Sequence, residues 1–355
     1  MGDFVPGLEG VIAVETEIAE PDRDGGALRY RGVDIRDLVG AVPFERVWGL
    51  LVDGVPGDSL DLDDVVPLQP PSGVVLADVQ AATAALAGRW GLGKLIDIDA
   101  AAARADLERV SAAMIDVVAR LAGGGHATSG IVGRTGSLAE RFLSAWRGEA
   151  RPQDVRALDT YWICTAEHGL NASTFTARVV ASTGADCAAC LAAAVGALSG
   201  PLHGGAPARV LPMLDAARAS DSIVEYVREK LDAGVRLMGF GHRVYRAEDP
   251  RARLLRDTAR AIGAPRFALA EAFEQEALAE LHRRRPDRVL ATNVEYWSAV
   301  VLDAAGVPAD LAPALFACSR TAGWSAHILE QLQTGRLIRP AARYVGPPAA
   351  TLTAA

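Results

Sequence analysis

The sequence has few cysteines, no long apolar run and no excess of basic residues, and each shortage excludes a class of protein. Four cysteines in 355 residues cannot form a disulfide framework and suit a reducing cytosol. No apolar run reaches the roughly 18 residues of a membrane span, and the first residues show no basic or apolar leader pattern. Lys and Arg number 36 against 44 Asp and Glu, so the net charge of −8 disfavours nucleic acid and anionic membranes as partners. We therefore expect a soluble, cytoplasmic protein.

The composition that remains is that of an ordinary globular protein, with 50% apolar and 23% charged residues. At roughly 150 residues per domain, the length corresponds to about two domains. Near the N-terminus, Leu28 and Tyr30 alternate with arginines after the turn-rich PDRDGG, which predicts a short β-hairpin closed around Asp24-Gly25. Beyond it the apolar spacing is helical and βαβ alternation is absent, so the predicted fold class is mainly α.

Capping residues mark where several helices begin and end. Apolar positions from Leu107 to Leu121 fall at helical spacing and stop at a run of glycines. Further helix starts are predicted at Pro152, at Ser222 with Glu225, at Asp249-Pro250 and at Asn293. The last two starts place a cation, Arg251, and a carboxylate, Glu295, in the first turns of two different helices.

Two short motifs match ligand-binding patterns only in part. Residues 88–94 satisfy GxxxxGK, but Leu95 stands where a phosphate-binding loop needs Ser or Thr, and the preceding residues look helical rather than strand-like. Cys187 and Cys190 form a C-x-x-C inside an Ala-rich helical run, with no second Cys or His pair nearby. We interpret the cysteines as core residues and expect neither a nucleotide nor a metal at these motifs.

Three of the six histidines lie beside glycine in unusual local contexts, namely His168, His203 and His242. Glycine lets backbone and ligand approach an imidazole closely, so these histidines are candidate functional residues. For any one of them alone, a structural, hydrogen-bonded histidine is the simpler interpretation. Three similar sites in one chain favour a functional role.

Arginine placement indicates an anionic ligand. Arg251 lies in the first turn of a helix, where the macrodipole disfavours a cation unless an anion binds there, although a salt bridge to Glu248 or Asp249 would also explain it. Arg320 is the only residue of formal charge among the sixteen from Ala314 to Leu329. Burying a cation on so apolar a helix is costly unless an anion pairs with it. A distant Asp or Glu or a substrate carboxylate could be that anion. Arg339 is ambiguous by itself.

These residues lie in segments that resemble citrate synthases. The resemblance covers nearly the whole chain, in order, and is carried by GALRYRGVDIRDL, EHGLNASTFTARVVAS, GPLHGGA, MGFGHRVYRAEDPRA, SRTAGWSAHILEQ and LIRPAARYVG. It implies a citrate-synthase-like helical fold of two domains and a homodimer. By the same resemblance, residues 1–204 and 307–355 would form the large domain, and residues 205–306 a small domain closing over the active site.

The resemblance also implies roles for single residues. Acetyl-CoA is the implied co-substrate, with His203 bonding its thioester carbonyl and Arg246 near the CoA phosphates, and no tightly bound cofactor or metal is implied. Arg339 would reach the neighbouring subunit's site. The implied catalytic residues are His203, His242 and Glu295, and the implied oxaloacetate-binding residues are His168, His242, Arg251, Arg320 and Arg339.

One residue departs from the family pattern. The family's base is usually an aspartate in an N-V-D segment, whereas this chain has Asn293-Val294-Glu295. The extra methylene displaces the carboxylate by roughly 1 Å, and a misplacement of that order can cost about 100-fold in rate. Slow turnover or a bulkier acyl-CoA would each fit the substitution. We expect instead that the backbone compensates and activity is retained.

The leading hypothesis is therefore an acyltransferase that condenses acetyl-CoA with oxaloacetate and hydrolyses citryl-CoA to citrate and CoA. The nearest alternative is a 2-methylcitrate synthase using propionyl-CoA, because one methylene shifts preference only about 10- to 200-fold. A weakly active or non-catalytic relative that binds carboxylates or CoA is an alternative of another class. A nucleotide-hydrolysing enzyme is the last option.

Overall fold

The computed structural model describes residues 4–22, 24, 26–57, 60–63, 65–123, 130–203, 209–241, 245, 248–287 and 290–348. Within these residues the predicted mainly-α fold is confirmed, since fourteen α-helices accompany one small sheet. None of the described helices is both long and apolar enough to cross a membrane. The helices are α1 (Ile35–Leu38), α2 (Phe44–Asp53), α3 (Val75–Trp90), α4 (Ala100–Ala122), α5 (Leu138–Arg147), α6 (Pro152–Thr165), α7 (Ala172–Ser182), α8 (Cys187–Leu198), α9 (Val210–Arg218), α10 (Ile223–Asp232), α11 (Pro250–Ala261), α12 (Phe267–Arg284), α13 (Val294–Ala304) and α14 (Ala312–Thr334).

The N-terminal sheet has three antiparallel strands, β1 (Ala19–Asp22), β2 (Ala27–Tyr30) and β3 (Val33–Asp34). Strands β1 and β2 form the predicted hairpin, with Asp22 opposite Ala27; Gly25 of the predicted turn lies outside the described residues. Tyr30 is fully buried, and its hydroxyl contacts the backbone at the end of α6. The sheet therefore packs against the helices rather than standing apart.

The predicted helix starts are confirmed, and three of the four have a side-chain cap. Pro152 is the first residue of α6, and the side chains of Ser222, Asp249 and Asn293 accept backbone N–H groups at the starts of α10, α11 and α13. Each cap supplies a hydrogen bond that the first helical turn cannot make within itself. These caps fix the N-terminal ends of the helices that bear Arg251 and Glu295.

Helix α14 lies at the centre of the core. It packs against α2, α4, α6, α7 and α8, and its side chains from Cys318 to Leu329 are buried without a break. A helix that is apolar on all sides is stable only when it is surrounded by protein. The near absence of charge between Ala314 and Leu329 follows from this position, and makes the single charge of Arg320 conspicuous.

Helices α11 and α13 pack on each other and on α6. They belong to the segment 205–306 that the resemblance assigns to a small domain, whereas α6 belongs to the large one. The site described below is built from residues of these three helices and of α14, which packs on α6. The division into two domains itself stays a prediction.

Candidate active site

The carboxylate of Asp249 joins the first turns of α11 and α13. It accepts two side-chain hydrogen bonds from Arg251, Nε to Oδ1 at 2.9 Å and Nη2 to Oδ2 at 2.8 Å. Its Oδ2 also accepts the backbone N–H of Val294 at 3.0 Å. Asp249 and Arg251 are 1% and 3% exposed, so this bidentate pair is buried. The salt bridge weighed for Arg251 thus forms with Asp249, and the positive charge of Arg251 acts on the Glu295 carboxyl.

Glu295 is the second residue of α13 and is half-buried. Its backbone N–H donates to Oδ1 of the capping residue Asn293 at 3.0 Å. Burial raises the pKa of the Glu295 carboxyl above its usual range, and the positive charge of Arg251 opposes this rise. A carboxylate with a raised pKa is a stronger base than an exposed one.

The chain before α13 is held by a short strand-like pairing. Phe240 and Thr292 form an antiparallel bridge, and Asn293 donates its side-chain amide to Gly241 O at 3.0 Å. Gly239 has φ +88, and a Cβ there would lie 2.6 Å from the Tyr296 side chain, so only glycine fits. This packing sets the segment that leads to His242. His242 and Arg246 themselves lie outside the described residues.

Arg320 projects from α14 toward the end of α6. Its Nε donates to Thr165 O at 2.7 Å, and its guanidinium carbon lies 4.7 Å from the ring centre of Phe316. The side chain is 3% exposed, and Nη1 has no hydrogen-bond partner among the described residues. Burial lowers the pKa of Arg320; Glu167 opposes this effect and Arg251 adds to it. The site therefore contains two neighbouring buried cations.

His203 follows α8 and faces α7 and α14. Its Nε2 lies 2.8 Å from Oγ of Ser173, and its ring meets that of Phe316 edge-on at 6.2 Å. Burial, with the positive charge of Arg320 adding to it, lowers the pKa of His203 to about 4. The imidazole is therefore neutral near pH 7.

His168 lies just beyond α6 and pairs with the segment before α11. Its Nε2 is 3.1 Å from Oη of Tyr245, and the two rings meet edge-on at 5.3 Å. The Tyr245 ring also lies 5.9 Å from the guanidinium carbon of Arg251. His168 is thus linked to the Arg251 region by one buried tyrosine.

The structure accordingly brings five of the sequence-predicted site residues into one region, namely His168, His203, Arg251, Glu295 and Arg320. Arg339 is different, because it is exposed in the irregular segment after α14. Among the described residues, no contact links Arg339 to these five side chains.

Three residues that contact the candidate side chains or their partners were not predicted from the sequence. Ser173 contacts His203, Trp324 donates its indole N–H to Ser173 Oγ at 3.1 Å, and Tyr245 contacts His168. Trp324 lies four residues after Arg320, so helical spacing alone places both on one face of α14. That spacing is a signal for Trp324 in the sequence, whereas no local pattern indicates its hydrogen-bond partner Ser173, which is distant in the chain.

The two partial motifs fall outside this region. Lys94 pairs with Asp186 at 2.7 Å, and Gly88 lies inside α3, so residues 88–94 do not form a strand-to-helix loop. Cys187 and Cys190 are fully buried in α8, in agreement with the interpretation as core residues. Among the described residues, no group of three or more His, Cys, Asp or Glu side chains is placed to hold a metal ion.

Comparison with known proteins gives consistent matches along the chain. The sequence model of the family described as citrate synthase, C-terminal domain, matches residues 7–341. A Mycobacterium tuberculosis protein, provisionally named citrate synthase 2, is 58% identical over 97% of this chain and 94% of its own length. The citrate synthase of Haloferax volcanii is 37% identical over 97% of this chain and 96% of its own length.

Two solved structures are similar along the whole fold. Citrate synthase from Pyrobaculum aerophilum has a TM-score of 0.82 and 30% identity, and the match covers 99% of this chain and 94% of that one. Citrate synthase from Thermoplasma acidophilum, solved with carboxymethyl coenzyme A and oxaloacetate, has a TM-score of 0.81 and 26% identity, over 99% of each chain.

Proposed function

This chain belongs to the citrate synthase family and is an enzyme of the citrate synthase type, and from that premise we propose that it condenses acetyl-CoA with oxaloacetate and hydrolyses the product thioester to citrate and CoA. The observation that carries the proposal is the meeting of two buried arginines with one half-buried carboxylate, Glu295, and one neutral imidazole, His203. Each group suits one need of this reaction.

Oxaloacetate carries two carboxylates, and guanidinium groups pair with carboxylates through two hydrogen bonds. In this proposal Arg320 and Arg251 bind them together with His168. The Nη1 of Arg320 is buried and without a partner among the described residues, which is costly unless an anion arrives to pair with it. A bound carboxylate would relieve that cost, so binding energy is available for a dianion.

Deprotonation of the acetyl methyl group needs a base and a partner for the enolate oxygen. Glu295 would remove the proton, and its raised pKa supports this role. His203 would donate a hydrogen bond to the thioester oxygen; as a neutral group it stabilises the enolate without a full charge. The remaining electron pair on the methyl carbon then attacks the ketone carbon of oxaloacetate at close range.

The ketone oxygen takes up one proton and becomes a hydroxyl, which balances the proton that Glu295 removes, and water cleaves the citryl thioester to give citrate and the CoA thiol. We assign polarisation of the ketone to His242 and contact with the CoA phosphates to Arg246, by family resemblance. Closure of residues 205–306 over the substrates would exclude water until the carbon–carbon bond has formed.

We further propose a cytoplasmic homodimer in which Arg339 enters the neighbouring subunit's site. The exposed, irregular segment that carries Arg339 supports this part of the proposal, because the side chain is available to another copy. Oligomeric state is tested by light scattering. A mixture of an Arg339→Ala chain with an Arg320→Leu chain should recover activity in the hybrid dimer if Arg339 acts across the interface.

Thiol release tests the proposed reaction directly. The enzyme is incubated with acetyl-CoA and oxaloacetate, free CoA is detected by a thiol reagent, and citrate is identified by mass spectrometry. We expect release only when both substrates are present, and a higher kcat/KM for acetyl-CoA than for propionyl-CoA. The reverse preference would assign a 2-methylcitrate synthase. Oxaloacetate binding without any CoA release would support a non-catalytic relative.

A further inference from the structure

One face of α14 carries three side chains that reach the candidate site. Phe316, Arg320 and Trp324 recur every four residues and therefore lie on the same side of the helix. Phe316 contacts the ring of His203, and Arg320 lies against Phe316. Trp324 does not touch His203 but reaches it through Ser173.

We infer that Trp324 is a positioning residue, which holds Ser173 and through it the imidazole of His203. The inference rests on the proposed function, in which His203 bonds the thioester oxygen. The indole N–H of Trp324 can only donate a hydrogen bond, so Oγ of Ser173 must accept at that position.

The hydroxyl proton of Ser173 faces two acceptors. Its Oγ lies 2.8 Å from Oδ1 of Asn171, which can only accept, and 2.8 Å from Nε2 of His203. A hydroxyl has one proton and two lone pairs; Trp324 occupies one of the lone pairs, and the proton lies between two acceptors, Oδ1 of Asn171 and Nε2 of His203. The backbone N–H of Ser173 also donates to Nε2 of His203, at 3.4 Å. With Nε2 as the acceptor, the single N–H of the neutral imidazole is at Nδ1, where it can bond the thioester oxygen in the proposed function. The serine rotamer is thus determined by three neighbours, and loss of one of them frees the hydroxyl to turn away from His203.

Trp324 is itself fixed on a rigid support. The indole is fully buried, and the preceding residue, Gly323, donates its backbone N–H to Ala166 O at 3.2 Å. A Cβ on Gly323 would lie 2.7 Å from the backbone oxygen of Ala166 and would also meet the carboxylate of Glu167, so a glycine is needed for α14 to approach this segment so closely. The contact locks α14 against the chain leading to His168. An indole held in this way places Ser173 with little freedom.

The decisive variant is Trp324→Phe, which keeps a buried aromatic ring and removes the donor together with part of the indole volume, a loss of volume that the control must share. Trp162→Phe is the matched control, because its indole nitrogen is buried without a hydrogen-bond partner among the described residues. Both are compared for kcat, for the KM values of oxaloacetate and acetyl-CoA, and for melting temperature. We expect Trp324→Phe to lower kcat about fivefold with little change in the KM for oxaloacetate, the size expected for one lost hydrogen bond.

A double-mutant cycle with Ser173→Ala distinguishes positioning from a structural effect. If Trp324 acts through Ser173, Trp324→Phe has no further effect on kcat once Ser173 is alanine. An undiminished effect in that background would overturn the inference. So would equal kcat values for Trp324→Phe and Trp162→Phe.

A second measurement does not depend on turnover. Diethyl pyrocarbonate acylates neutral imidazole nitrogens, and mass spectrometry follows the labelling rate of the His203 peptide. A loosened Ser173 should expose Nε2 and raise that rate about fivefold in Trp324→Phe relative to wild type and Trp162→Phe. Unchanged labelling would overturn the inference. A wild-type chain that releases no CoA would overturn the proposed function alone, because labelling still reports whether Trp324 controls His203.

Discussion

Asp249 and Val294 meet at 3.0 Å, where the carboxylate of one accepts the backbone N–H of the other. Both oxygens of the same carboxylate also accept hydrogen bonds from the Arg251 side chain. One acidic group thus sets the distance between the cation of α11 and the first turn of α13, which bears Glu295. The proposed substrate-binding and proton-removing groups therefore depend on a shared anchor that contributes neither function itself.

Replacing this anchor should weaken both the fold and the site. We expect Asp249→Asn to lower the free energy of unfolding by about 3–5 kcal/mol, because it removes the partner of a buried guanidinium. The KM for oxaloacetate should rise as well, since Arg251 loses its orientation. Urea denaturation measures the first effect and thiol-release kinetics the second.

The control for Asp249→Asn is Asp257→Asn on the same helix. Its pair with Arg260 has side chains 59% and 54% exposed, so its loss should change stability by only about 0–1 kcal/mol. If the two variants lower the free energy of unfolding equally, the buried Asp249 pair contributes no more to stability than an exposed ion pair.

Local sequence signals determined part of this site. Asn293 and the Asp249-Pro250 pair mark helix starts in any fold, so Glu295 and Arg251 could be placed in first turns from the sequence. Arg320 was recognisable as a lone charge in an apolar helix. These predictions depend on residues close together in the chain, and the structure confirms the helix starts and the burial of Arg320.

The supporting contacts could not be predicted because they join distant segments. Ser173 and Trp324 are separated by 151 positions and meet only when α7 packs on α14. The sequence also left two partners open for Arg251, since its immediate neighbours Glu248 and Asp249 carry the same charge. Only the turn geometry at the start of α11 selects Asp249.

Arg320 should control affinity for oxaloacetate more than stability. Its burial already costs free energy in the unliganded protein, which is why its pKa is lowered. We expect Arg320→Leu to raise the KM for oxaloacetate about 100-fold or more, and Arg320→Lys about tenfold, because lysine cannot form the bidentate pair. Melting temperature should fall little in either variant. Oxaloacetate should stabilise wild type and not Arg320→Leu.

Arg89→Lys is the matched control for the lysine substitution, because Arg89 is exposed on α3. It should leave the KM for oxaloacetate unchanged. A normal KM in Arg320→Leu would remove Arg320 from the proposed binding site.

Glu295 should act as the base through its carboxylate. Glu295→Gln is expected to lower kcat about 10²- to 10⁴-fold, the range typical of a lost general base. Glu295→Asp should also be slower, by up to about 100-fold, if the backbone is fitted to the longer side chain. Thiol release at saturating substrate measures both. An unaffected Gln variant would exclude Glu295 from the reaction.

The pH profile gives an independent check on Glu295. Burial raises the pKa of the Glu295 carboxyl. When the solution is acidified, Glu295 should therefore become protonated at a higher pH than an ordinary glutamate. On the acidic side of the profile, kcat/KM should therefore fall at a higher pH than it would with an exposed carboxyl as the base. Glu229→Gln, at an exposed position on α10, should leave the profile unchanged.

His203 should make stability depend on pH in a defined window. Its folded pKa is about 4, below the usual value of 6.5, so between these two pH values the unfolded chain binds a proton that the folded chain does not. The contribution of His203 to stability is therefore complete above about pH 6.5 and is lost as the pH falls toward 4. Urea denaturation of His203→Gln should show a shallower loss of stability over this range than wild type. His282→Gln, at an exposed position on α12, is the control and should match wild type. If the free energy of unfolding of His203→Gln depends on pH as steeply as that of wild type, His203 is protonated as readily in the folded protein as in the unfolded chain.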